Sequence, residues 1–465
     1  MLGLPKPSKP AADYSPVEEL KFQQKLNHFN PADQTTWTQR YFVNRQFYTA
    51  GGPAFLMLGG EGEASAAWLA EPTFMMVLAK KYGAMAFQLE HRYYGSSFPT
   101  PDLSVEHLAY LTSQQALADA ANFRDAMVTK YNLGPNSKWV VFGGSYSGSL
   151  AAWFKLKYPH LAVGAVASSA PLHALIDFKD YLRVVRDSLA TSSQECDEQV
   201  SLAVDHLMYL ASTPANWDHI LKLFRLCSFF NGYNMNDQAN FFQSLAGNFE
   251  GIVQYNKDER VSGAQQNITI DTLCDMMTSA DTKIAIEKFA DVNSLLLNST
   301  STDCLEFNYD TFIDALRRID LNNTEAPGAR QWTYQTCVEF GYFQSSDARD
   351  QPFGSLFPVK FFVKQCQDIF GDKFDEKLLE DGIRRTNLEY GSIYPQLRNV
   401  TFPNGSIDPW HALGITESLS EDVTAIYING TAHCADMYPA SVEDLPALTE
   451  ARVKIDQQVA QWLEV

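Results

Sequence analysis

The stretch Lys138-Trp139-Val140-Val141-Phe142-Gly143-Gly144-Ser145-Tyr146-Ser147-Gly148 decides how this chain folds. Lys138 to Phe142 is rich in β-branched and aromatic residues, which predicts a buried strand, and Ser147 to Tyr158 has the spacing of a helix. The small residues between them let strand and helix pass close together on a sharp turn with Ser145 at its apex. A serine so placed stands at the carboxyl end of a sheet, and the helix that follows points its N-terminal dipole at any negative charge developing there. The run departs from G-x-S-x-G at its last position, where Ser147 stands in place of glycine. The plain alternative is a glycine-rich turn that merely packs tightly.

Working outward, Pro53 to Leu58 reads as a buried strand ending in Gly59-Gly60, and Ala84 to Leu89 and Val163 to Ala167 read as two more. Gln114 to Tyr131 repeats Ala116, Ala120, Phe123 and Met127 along one helical face. Strand and helix alternating at this rhythm predict an α/β fold with right-handed crossovers and a mostly parallel sheet. After Pro171 the character changes to helical runs such as Gln199 to Leu210 and His219 to Leu226. Residues 172–327 therefore read as a helical cap inserted between an N-terminal part, 1–171, and a C-terminal part, 328–465. Strands return at Asn399 to Phe402 and Thr424 to Ile428, and Leu448 to Trp462 closes the chain as an amphipathic helix.

Bulk properties exclude several classes. A chain of 465 residues is too long for one simple core. Its net charge of −19 repels phosphate backbones and anionic lipid, so neither nucleic acid nor membrane is an expected partner. No run of about 18 apolar residues is present. Met1 to Pro10 lacks the apolar core of a signal peptide, so either such a leader has been trimmed or the protein stays inside the cell. The seven cysteines show no C-x-x-C spacing, and Cys196 to Cys366 contains six of them. Glycosylation sequons begin at Asn267, Asn298, Asn322, Asn399, Asn404 and Asn429. Together these favour the secretory pathway, either lysosomal or endosomal, or secreted.

Chain order sharpens the role of Ser145. A serine on such a turn is followed, in folds of this kind, first by an acid and then by a histidine. His433 lies on the loop after the strand ending at Ile428, where a general base is expected, and Asp408 lies on the loop after the preceding strand. His411 is only three residues past Asp408 and shares its loop, so it is a poor base. The N–H of Tyr146 is one candidate donor to an oxyanion, and Gly60, in Gly59-Gly60-Glu61-Gly62, is a second. That glycine run lacks the third glycine of a dinucleotide loop, and no P-loop or H-E-x-x-H occurs, so no cofactor or metal is expected.

Seven segments, in order, resemble the prolyl-carboxypeptidase family of serine peptidases, which includes lysosomal Pro-X carboxypeptidase, dipeptidyl peptidase II and thymus-specific serine protease. They are LNHFN at 26–30, GGEGE at 59–63, EHRYYGSS at 90–97, GGSYSGSLAAWFKLKYPH at 143–160, WTYQTCVEFGYFQ at 332–344, NGSIDPW at 404–410 and AHCADM at 432–437. Ser147, and Cys434 beside His433, look more like the thymus-specific branch. The resemblance implies an α/β-hydrolase fold with a helical cap, the triad Ser145, Asp408 and His433, and cleavage after proline in a hydrophobic pocket between cap and sheet. It also implies the disulfides Cys196–Cys274, Cys227–Cys304 and Cys337–Cys366, with Cys434 left free as a small packed residue.

The expected reaction is acyl transfer through Ser145, with peptides as partners and exopeptidase action on short ones because a cap restricts access. A homodimer is left open. Trp410 is expected to line the pocket, the plainer alternative being a buried core tryptophan. Glu339 is a candidate anchor for a substrate amine and Arg92 a candidate partner for a carboxylate, and the alternative for each of these two is a structural ion-pair member. The rival readings are an esterase or lipase on the same fold and a catalytically silent protein that uses the cap to bind a partner.

Overall fold

A computed structural model describes residues 16–464 apart from 71, 135, 258–266 and 322–325. The sequon at Asn322 and the stretch Met1 to Pro10 lie outside the described residues. The strands are β1 (Glu18–Lys25), β2 (Thr36–Asn44), β3 (Ala54–Leu58), β4 (Met85–Leu89), β5 (Trp139–Gly144), β6 (Gly164–Ser168), β7 (Leu175–Asp177), β8 (Gly341–Phe343), β9 (Val400–Gly405) and β10 (Val423–Ile428). Eight of them form one sheet in the order β1-β2-β4-β3-β5-β6-β9-β10. β1 and β2 add antiparallel at one edge, and every pairing from β4 to β10 is parallel. This is the sheet of an α/β-hydrolase.

The central strands β3 to β6 are buried along their whole length because both of their faces are covered. Phe55, Met57, Val140 and Phe142 pack to one side with the helices Phe74–Tyr82 and Pro446–Leu463, while Leu56, Leu58, Trp139 and Val141 pack to the other with the helices Ser113–Lys130 and Tyr146–Lys157. One glycine marks how tightly the last helix seats: a Cβ on Gly164 of β6 would stand 2.2 Å from the Trp462 ring.

β6 and β9 are hydrogen-bonded neighbours, yet Ser168 and Val400 bound a long excursion from the sheet. Its described residues are mainly helical, including Asp180–Ala190, Gln194–Ala211, Met235–Gln254, Ile270–Met277, Ala285–Ser299 and Tyr309–Arg317. Phe224, Phe230, Phe241, Phe249 and Phe289 meet in the core of this part. β7 pairs with β8, which ties the start of the excursion to a segment late in it. Two later helices divide their packing. Val359–Phe370 lies against Tyr309–Arg317, whereas Tyr390 of Glu376–Tyr390 stacks on Trp153 beneath the sheet, with ring centroids 4.1 Å apart.

The disulfides are Cys196–Cys274, Cys227–Cys304 and Cys337–Cys366, the pairs implied by the resemblance, and Cys434 is a buried free thiol. Among the described residues no helix is long and apolar enough to cross a membrane. Asn404 is 1% exposed within β9 and its amide donates to Ile415 O, so the sequon at that position is not open to a glycan. Asn267, Asn298 and Asn429 are exposed.

Candidate active site

Strand β5 ends at Gly144 and the helix begins at Tyr146, which leaves Ser145 alone on the turn with φ 60° and ψ −134°. A non-glycine residue in that region is strained, and the surrounding packing enforces it. A Cβ on Gly143 would stand 2.0 Å from Ser147 O, and one on Gly148 would stand 2.6 Å from Ser168 O. Ser147, the departure from glycine, fits because its side chain folds back on the strand end. Its Oγ donates to Gly144 O at 2.8 Å and accepts from Gly144 N at 3.0 Å. Gly60 packs against it, an added Cβ meeting Ser147 Cβ at 3.4 Å. The loop after β3 therefore lies directly beside the turn.

Behind the turn, Tyr146 points its hydroxyl into a buried polar chain absent from the sequence reading. His91 Nδ1 donates to Arg92 O at 2.7 Å, so Nε2 accepts from Tyr146 OH at 3.1 Å, and that oxygen accepts in turn from Gln335 Nε2 at 3.0 Å. Burial pushes His91 down to about 4, which keeps it neutral for this role. The EHRYYGSS segment thus steadies the residue that follows Ser145.

Asp408 begins the short helix Pro409–Leu413 and is 0% exposed. Its Oδ1 accepts from Trp410 N at 3.0 Å and its Oδ2 accepts from His433 Nδ1 at 2.8 Å, so both oxygens are fixed. His433 is 1% exposed, and its Nε2 is buried without a hydrogen-bond partner. Burial lowers the affinity of this ring for a proton while the Asp408 charge raises it, so the carboxylate supports the imidazolium that forms when Nε2 accepts a proton. The next residue, Cys434, turns through φ 58° and donates its N–H to Ser169 Oγ at 2.9 Å. That contact holds the His433 loop against the end of β6, where Ser168 O accepts from Ser145 N at 3.0 Å. His411 stays on the Asp408 loop with its ring against Tyr427.

A cavity of about 520 Å³ opens over Ser145. Trp410 lines it from the Asp408 loop, and Tyr181, Asn248, Glu250 and Leu296 line it from the helical excursion. Gln254 joins the two parts. Its Oε1 accepts from Tyr181 OH at 2.6 Å and Trp410 Nε1 at 2.9 Å, and its carbonyl accepts from His433 N at 3.0 Å. Neither Glu250 nor Gln254 was singled out from the sequence. The only local signal is a polar side chain beside the apolar positions Phe249 and Val253 of an amphipathic helix.

Two other expectations fall away from the cavity. Glu339 is 4% exposed and absent from the cavity wall, and its carboxylate accepts from Ser113 N at 3.1 Å and Ser113 Oγ at 2.8 Å. Burial pushes it up to about 7, partly countered by Ser113. It sits at the N-terminus of the helix Ser113–Lys130, where a negative group is favourable, so its place is structural. Arg92 is fully buried and bidentate on Asp119, at 2.7 Å on each side, and donates further to Leu26 O and Tyr110 O. No group of it is left for a substrate carboxylate. Among the described residues no cluster suited to a metal ion occurs.

Comparison with known proteins gives the family of the chain. Residues 24–455 match the family model described as serine carboxypeptidase S28. A putative serine protease of Caenorhabditis elegans is 39% identical, covering 97% of this chain and 89% of its own. Thymus-specific serine protease of Mus musculus is 35% identical over 95% of this chain and 87% of its own, and lysosomal Pro-X carboxypeptidase of Homo sapiens is 27% identical over 96% and 88%. The chain belongs to the serine carboxypeptidase S28 family and is a serine peptidase on an α/β-hydrolase sheet.

Proposed function

We propose that Ser145 is the nucleophile, His433 the general base and Asp408 the group that orients it, in an exopeptidase that prefers to cut short peptides after proline. One observation carries this reading: His433 Nδ1 is committed to Asp408, while its buried Nε2 is unpartnered on a loop held against the Ser145 turn. Ser145 Oγ attacks the scissile carbonyl as His433 Nε2 takes its proton. The N–H groups of Tyr146 and Gly60 receive the oxyanion, at the start of the helix Tyr146–Lys157 and on the loop packed beside it. His433 then protonates the leaving amine, and water repeats the sequence on the acyl-enzyme. Trp410, Tyr181 and Leu296 supply the apolar wall that a prolyl ring fits. The disulfides and the exposed sequons support work in the secretory pathway, with the lysosome or the cell exterior as destination.

A peptide-library digest read by mass spectrometry tests the specificity. The expected result is loss of short terminal fragments with proline enriched at the cut. Internal cuts with no proline preference would overturn the post-proline exopeptidase reading.

A further inference from the structure

The cavity over Ser145 is lined by acidic side chains and no basic ones among the described residues: Glu61 and Glu250 both line it, and no lysine, arginine or histidine does. Glu250 lies in the last turn of the helix Met235–Gln254, with Oε1 sealed from solvent and without a hydrogen-bond partner. The C-terminal end of that helix adds its own partial negative charge, directed toward Tyr181, Trp410 and the His433 loop that Gln254 contacts. A peptide brings one of two terminal groups into such a space. Its carboxylate would meet acidic side chains and no cation among the described lining residues, while its ammonium would meet a Glu250 oxygen without a hydrogen-bond partner.

We propose that Glu250 anchors the free N-terminal ammonium of the substrate, so that the enzyme removes short fragments from the N-terminus of peptides rather than residues from the C-terminus. This rests on the reading of Ser145 as the nucleophile. The fragment held by Glu250 is then the acyl half. Ser145 Oγ bonds to its last carbonyl carbon as the C–N bond breaks, and the rest of the peptide leaves as an amine carrying the proton from His433. Water then cleaves the ester, releasing a fragment with its original ammonium and a new carboxylate. Burial pushes Glu250 up to about 8, so an arriving ammonium supplies the counter-charge that stabilises its ionised form. Glu339 offers the contrast: it is as acidic by sequence, but its oxygens are already occupied by Ser113 and it does not line the cavity.

The test compares one proline-containing peptide with its N-acetylated and its C-amidated forms. The full chain and E250Q are used, and each rate is normalised to the amount of Ser145 that a fluorophosphonate labels. The wild-type enzyme is expected to prefer the free amine over the acetylated form by roughly 10- to 100-fold and to be indifferent to C-terminal amidation. In E250Q that preference collapses to within about threefold, and E250D, which keeps the charge on a shorter arm, retains part of it. Equal cleavage of free and acetylated peptide by the wild type would overturn the proposal. So would loss of activity on amidation, or an unchanged preference in E250Q. Folded wild-type protein that takes no label would instead overturn the peptidase reading of Ser145, and this inference with it.

Discussion

In the sheet, the groups proposed to react stand on turns whose backbone is enforced from all sides. Ser145 is held at φ 60° between two close-packed glycines, and Asp408 has both carboxylate oxygens fixed. In the helical excursion, the groups that face the same cavity stand on ordinary helices, with open space around the helix backbone. Gly247 and Gly251 of Met235–Gln254 have nothing within 4 Å of an added Cβ. The sheet carries no disulfide, whereas Cys196–Cys274 and Cys227–Cys304 both staple the excursion. The contrast separates two jobs. Positioning a nucleophile and its base demands a strained, over-determined backbone, while shaping a pocket needs only a stable surface that can change side chains freely.

The sharpest way to break this division is Asp408→Asn. It removes the charge that supports protonated His433 and leaves the shape nearly unchanged, so kcat is expected to fall about 10⁴-fold while the melting temperature shifts little. A loss below tenfold, measured on a proline-containing peptide, would show that the sheet loops do not do the chemistry. The staple comes next. Replacing Cys227 and Cys304 by serine opens a closure of sequence separation 77 and is expected to cost about 2–5 kcal/mol in urea unfolding. Hydrogen exchange should rise in the excursion while the amides of β3, β5 and β6 stay protected. Uniform loss of protection would merge the two regions into one cooperative unit.

Smaller effects sharpen the contrast between the two buried acids. Glu339 is held near 7 in the folded protein against an ordinary value of 4.5. Between those pH values the native state keeps a proton that the unfolded chain has released. Its contribution is therefore complete below about 4.5, declines as pH rises to about 7 and is flat above that, a change on the order of 3 kcal/mol. Glu250 acts with the same sign up to about 8. Urea midpoints should thus be higher at pH 5 than at pH 8, with a visibly smaller drop in Glu339→Gln. An unchanged drop would remove Glu339 from the account. The smallest expected effect is Gly247→Ala, a gain of roughly 0.5–1 kcal/mol because the helix loses a flexible residue and no atom obstructs the methyl.

What the sequence showed follows from how local each signal is. The strands near 54–58, 85–89 and 139–144 are largely apolar runs, and Ser145, Asp408 and His433 sit on loops that follow strands in the expected order. β1 escapes a reading by apolar runs because it is an edge strand of mostly exposed polar residues, EELKFQQK, and β2, TWTQRYFVN, escapes it because polar residues interrupt the run although most of it is buried. β7 and β8 are three residues each and exist only through pairing between distant parts of the chain. Glu339 was a plausible anchor from its place in WTYQTCVEFGYFQ, but only the fold shows Ser113 occupying it. Glu250 was invisible for the opposite reason. Nothing in its neighbours distinguishes it until the helix end is brought over Ser145.

The most direct test of the central claim is intact-mass measurement of the folded full chain after reaction with a fluorophosphonate, beside Ser145→Ala treated in the same way. The arrangement of Ser145, Asp408 and His433 predicts one adduct per chain, mapped to Ser145 and missing from the variant. An adduct that persists in Ser145→Ala, or a folded wild-type chain that gains no mass, would contradict it.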